Sequence, residues 1–94
     1  MRVMAIGTLK PLTPEQRATY FPKEVPATLQ IYLDVKMEQF WLRDKEAGVI
    51  FLMTVDSVEE ADTILKALPL GRANLLTFEL MPIGPLSLLG MLIK

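Results

Sequence analysis

The order of elements legible along the chain, β-α-β-β-α-β, predicts an α+β fold of the ferredoxin-like kind, a four-stranded antiparallel sheet with helices on one face. Three observations carry that prediction. Two apolar runs flank a polar turn over Asp44–Gly48 and read as a β-hairpin; Ser57-Val-Glu-Glu60 opens an amphipathic helix; an alternating strand closes the pattern before Pro82. With 94 residues and no internal repeat, the chain reads as one domain, 1–94, around one core.

Arg2 to Leu9 is the first strand, with Val3, Ala5 and Leu9 on one face and Met4, Ile6 and Thr8 on the other. Both faces are largely apolar, as in a strand covered on both sides. Thr13-Pro14-Glu15-Gln16 is a helix start: Thr as N-cap, Pro at the first helical position, Gln closing a capping box. A short helix to about Phe21 is expected, then a second from about Pro22 to Leu33, since Pro22 and Pro26 punctuate the run and Glu24 sits near a helix's positive end.

From Leu29 to Met37 the residues also alternate as a strand would, whereas Val25, Leu29, Tyr32 and Leu33 fit a helix. Helix is preferred because Lys36 to Arg43 already reads as a strand, and one strand over 29–43 would be unusually long. In that strand Met37, Gln39 and Trp41 are expected on one face, Glu38, Phe40 and Leu42 on the other. Val49 to Val55, continuous and β-branched, is its hairpin partner. Ser57 opens a capping box, and Val58, Ala61, Leu65 and Leu68 place a helix over 58–68 that Pro69 stops. Leu75 to Met81 is the last strand, with Leu76, Phe78 and Leu80 on one face and Thr77 and Glu79 on the other.

Ten Lys plus Arg against eleven Asp plus Glu give a net charge of −1 and no basic stripe, so nucleic acid is not expected as a partner. The absence of Cys and His excludes zinc fingers, iron–sulfur sites, Cys nucleophiles and His-based triads; no metal and no cofactor is expected. Met1 to Leu9 is too short for a secretory signal, and the longest apolar stretch, Leu80 to Ile93, is broken by Pro82, Gly84, Pro85, Ser87 and Gly90. It falls short of the roughly 18 continuous apolar residues of a spanning helix, so a cytoplasmic protein without a membrane partner is expected.

Hydrophobic residues make up 51% of the chain. One sheet face carries no helix, and leaving it in water would expose an apolar patch on the order of several hundred Å². Two such sheets packed face to face remove the problem, which predicts a homodimer or a higher homo-oligomer. The tail, 85–94, is apolar from Leu86 to Ile93 except for Ser87 and is expected to pack on a partner subunit.

The stretch from Val55 to Leu70, with its Leu68-Pro69-Leu70 ending, followed by Glu79-x-x-Pro82 and preceded by Pro22-Lys-Glu24-Val25, resembles the muconolactone isomerase family of the dimeric α+β-barrel superfamily. The resemblance covers most of the chain, with a shorter segment from Pro22 to Trp41. It implies a homodimeric barrel that holds a small carbonyl-bearing molecule, aromatic or lactone-like, and moves a proton between carbons. That chemistry needs a base whose conjugate acid returns the proton, and donors for the enolate oxygen. The family's His in the strand matching Met37 to Arg43 has no counterpart here, so the base must be a carboxylate.

Two carboxylates are candidates. Glu24 is either a base in a cleft between helices and sheet or a solvated group stabilising a helix N-terminus. Glu79 interrupts an apolar strand and is either a buried proton carrier facing the dimer interior or half of a rim ion pair. Tyr32 and Trp41 can each donate one hydrogen bond to a small molecule or serve as core with a satisfied polar tip. Gln39 and Arg43, alternating with Trp41, either offer donors to a ligand oxygen or reach solvent. A cofactor-free cyclase or monooxygenase of the same superfamily, or a non-catalytic assembly or ligand-carrying module, fits the same residues.

Overall fold

In the computed structural model, which describes residues 1–84, the first alternating run forms β1 (Arg2–Leu9) and the hairpin forms β2 (Met37–Leu42) and β3 (Gly48–Thr54). The last strand is β4 (Leu76–Ile83), and the sheet order is β2-β3-β1-β4 with every pair antiparallel. Three helices complete the chain: α1 (Pro14–Leu33), α2 (Val58–Lys66) and the short α3 (Pro69–Arg72). This is the expected ferredoxin-like α+β arrangement. The tail 85–94, expected to pack on a partner, lies outside the described residues.

The two helices expected over 14–33 are one. The capping box forms as read, Gln16 N–H donating to Thr13 Oγ1 at 3.1 Å and Thr13 N–H to Gln16 Oε1 at 2.9 Å. Pro22 and Pro26 lie inside the helix and withhold the bonds that the Ala18 and Pro22 carbonyls would accept. Both prolines and Ala18 are exposed, so water can serve those carbonyls. The opposite face carries buried Glu24 and Ile31 and half-buried Ala27 and Thr28, and its packing holds the helix through the prolines.

At its end α1 turns through Val35, whose φ is +62°. Val35 N–H donates to the Tyr32 carbonyl at 3.0 Å and Lys36 N–H to the Ile31 carbonyl at 3.1 Å, the paired bonds of a Schellman turn. A β-branched residue is strained there, and Val35 is 76% exposed, so its side chain returns little packing. Val35→Gly is expected to stabilise the fold by about 1 kcal/mol, read as a higher urea midpoint at unchanged slope. A lower midpoint would mean that the valine packs.

Alternation in β2 breaks at Glu38. Met37 lies opposite Met53, but Gln39 lies opposite Leu52, so Glu38 is an extra residue in a β-bulge. Met37, Phe40 and Leu42 therefore share the helix side, and Gln39 and Trp41 the open side, correcting the expected grouping of Met37 with Gln39 and Trp41. The bulged Glu38 accepts bonds from Arg2 on β1 (3.0 and 3.2 Å) and from Thr54 Oγ1 on β3 (2.8 Å), and these partners hold its carboxyl below the usual range. Strand β4 runs two residues past its expected end, through Pro82, because it is an edge strand whose proline owes no outward ladder bond.

The core lies between the sheet and the helices: Val3, Ala5, Phe51 and Met53 from the strands, Ile31 from α1, Ala61 and Leu65 from α2. Helix α2 starts on Ser57, whose Oγ accepts from Glu60 N–H at 3.1 Å. The reciprocal half of the expected box is absent, since the Glu60 carboxylate takes Asp56 N–H (3.1 Å) and the Lys36 ammonium (2.8 Å). Helix α2 ends at Lys66 rather than Leu68, and Pro69, read as a stop, is the first residue of α3. No described helix is long and apolar enough to cross a membrane.

Candidate functional site

Between α1, the helix side of β2 and β3, and the start of α3 the chain leaves a cavity of about 520 Å³. That is within the few hundred to ~1,000 Å³ usual for a small-molecule site. Its walls are chiefly apolar. Phe21, Val25 and Leu29 stand one helical turn apart on α1, facing Phe40 and Leu42 of β2, with Leu70 beyond. Val25 (58%), Phe40 (51%) and Leu42 (84%) stay exposed, so the cavity opens to solvent. Polar residues that border it are Glu24, Thr28, Arg43 and Glu46.

Glu24 is the buried charged side chain of the described residues, 8% exposed. Its Oε1 accepts the Leu70 backbone N–H at 3.0 Å, a bond between α1 and the first turn of α3, where Leu68 supplies no side-chain cap. Among the described residues no hydrogen bond engages Oε2 and no buried side-chain polar atom lacks a partner, and Glu24 borders the cavity. Burial raises the Glu24 carboxyl above its ordinary value of 4.5, and the Leu70 N–H pulls it part of the way back.

That shift has a measurable sign. A native carboxyl that holds its proton more tightly than the unfolded one contributes most below the unfolded value and loses that contribution as pH rises through the native value. Glu24→Gln removes this loss, so its stability relative to the parent is expected to grow from pH 4.5 to pH 7. Urea denaturation at the two pH values reads the difference; a constant gap would mean that Glu24 titrates as if in water. Glu38 and Glu60, both lowered, act oppositely and are common to both proteins.

The six residues singled out in the sequence separate into three places. Glu24 and Arg43 both border the cavity, but the Arg43 guanidinium crosses Gly48 on the open sheet face to reach Thr8 Oγ1. Gln39, Trp41 and Glu79 are exposed on the open sheet face, Trp41 opposite Ile50 and Glu79 opposite Ile6, across the sheet from Glu24. Tyr32 is 47% exposed on α1 and does not line the cavity; it meets the cavity residue Phe40 edge-on at 5.9 Å and 84°. Sequence reading passed over Phe21, Thr28 and Glu46. The signal for the first was present, since Phe21, Val25 and Leu29 recur every four residues on a face that the core stripe of Glu24, Ala27 and Ile31 leaves free.

Around the open face Met4, Ile6, Ile50 and Leu52 are only half-buried, and Met81 is 46% exposed. Its apolar character is the one expected from first and third strands that are apolar on both faces. Metal-ligating side chains do not gather anywhere among the described residues.

No protein-family model matches the chain, and no curated protein matches it in sequence. Solved structures do. Muconolactone isomerase superposes with a TM-score of 0.74 at 20% identity, over 90% of this chain and 90% of that one. The 5-chloro-2-hydroxyhydroquinone dehydrochlorinase of Burkholderia phenoliruptrix AC1100, solved with 2,5-dihydroxybenzoquinone, superposes with a TM-score of 0.70 at 13% identity, over 89% and 94%. At these identities the likeness is one of architecture. The chain has the fold of muconolactone isomerase.

Proposed function

We propose that the chain is a small-molecule enzyme of the muconolactone isomerase type, moving a proton between carbons of an aromatic or lactone-like molecule with Glu24 as the proton carrier. One observation supports this above the others: Glu24 is a buried carboxyl on an apolar cavity of about 520 Å³ with its pKa raised. A base tuned upward toward working pH transfers protons better than one at the solvent value. Thr28 is the hydroxyl donor bordering the same cavity and available to a developing enolate oxygen. A second copy of the chain covering the open sheet face would enclose Gln39, Trp41 and Glu79, making them ligand-facing from the dimer interior.

A second reading has its own support. The Glu24–Leu70 bond gives the carboxylate a purely structural task, joining α1 to α3, and with that alone the fold is a ligand-binding module. The two separate in deuterated water. Muconolactone incubated with the purified protein is expected to isomerise and take up deuterium, followed by proton NMR, faster than in buffer. Binding of 2,5-dihydroxybenzoquinone without exchange or turnover of either molecule would leave the module.

A further inference from the structure

The cavity ends between two side chains. Among the described residues, α1 lines it no further along than Leu29, and β2 no earlier than Phe40. A short connection, 34–36, joins the two elements, so they run in opposite directions past the same space. Leu29 and Phe40 therefore bound the cavity at one and the same end, the end nearest that connection.

Phe40 stands on an edge strand and has a neighbouring strand on one side only, where the residue opposite it is Phe51. The Phe51 ring meets Phe78 at 5.6 Å, and the Phe40 side chain stays half exposed. The ring that meets Phe40 is that of Tyr32, one helical turn past Thr28 and edge-on, an arrangement aromatic pairs favour. Tyr32 stands outside the core cluster and does not line the cavity. With the tyrosine ring against it, Phe40 keeps the orientation in which it bounds the cavity. Without that contact a side chain so exposed can take another rotamer, and the end wall moves with it.

We propose that Tyr32 is a positioning residue that fixes, through Phe40, how long a ligand the cavity accepts. This rests on the cavity being the ligand site of the preceding proposal, and not on turnover there. Isothermal titration with phenol and with 4-phenylphenol, one ring longer in line, tests it; the quantity read is the ratio of the two affinities. Tyr32→Ala is expected to shift that ratio toward 4-phenylphenol by about tenfold, the low end of what burying one ring is worth. Tyr32→Phe keeps the ring and its edge-on contact and is expected to keep the parent's ratio. Phe40→Ala is expected to raise the ratio by itself, and Tyr32→Ala added to it to raise it no further, since the tyrosine acts on a ring that is then gone.

An unchanged ratio in Tyr32→Ala overturns the proposal; should that variant not fold, Tyr32→Leu, which also lacks the ring, takes its place. An equal rise in Tyr32→Phe overturns it too, by assigning the effect to the hydroxyl, and so does a further rise in the double variant, by separating Tyr32 from Phe40. The preceding reading fails separately. A ratio that moves without proton exchange removes catalysis and keeps the end wall, whereas exchange with an unmoved ratio does the reverse. A parent that binds neither phenol at millimolar concentration removes the cavity as a ligand site, and the proposal with it.

Discussion

Glu24→Gln is expected to lower the turnover of a proton-transfer substrate by about 10²- to 10⁴-fold, the usual worth of a positioned acid or base. The amide oxygen can still accept the Leu70 N–H, so the link from α1 to α3 survives and only the titratable proton is lost. The fall should appear in kcat and in kcat/KM together, since nothing that grips the substrate before reaction has changed. Steady-state kinetics beside a thermal melt make the measurement. Activity above a tenth of the parent's, with an intact melt, would remove Glu24 from the chemistry. Glu24→Ala differs in kind, leaving Leu70 N–H without its acceptor and costing stability as well.

Leu65→Ala is expected to cost about 2 to 5 kcal/mol of stability. Leu65 is 1% exposed and among the largest fully buried side chains, together with Met53 and Val3, the paired β3 and β1 residues on the helix side. Truncation removes apolar area from α2 and leaves a hole that strands on one side and helix on the other cannot both close. In a domain of this size that corresponds to a melting point lower by roughly 10 °C or more. A loss under about half a kcal/mol by chemical denaturation would mean that α2 can shift to refill the space.

What could be read without coordinates was what depends on local chemistry. The caps at Thr13 and Ser57 hold a helix start each, and the alternation of β1 and β4 sorts their faces correctly. What could not be read depended on tertiary support. Pro22 and Pro26 argue locally for a break, and only the packing of Ile31 and Ala27 on the core keeps α1 whole. Glu60 carries the spacing of a capping box, but Lys36, far away in sequence, competes for its carboxylate. The site divides the same way. Glu24 was legible as a carboxylate near a helix start, though burial rather than a helix end is what perturbs it. Gln39, Trp41 and Arg43 read as one face and share it, Arg43 pairing with Gly48 and reaching across it to Thr8 Oγ1.

The bulge at Glu38 bears on how this chain can be matched to its structural neighbours. Residues 39–42 are phased by the extra residue, so a gapless pairing with a chain that lacks it shifts four positions by one. Phe40 and Leu42, walls of the cavity, would then be equated with residues of the open face, and Gln39 and Trp41 with walls. At 13% and 20% identity little in the side chains would reveal the slip. A correspondence of site residues along β2 holds only where the gap is opened at Glu38, the residue tied to Arg2 and Thr54.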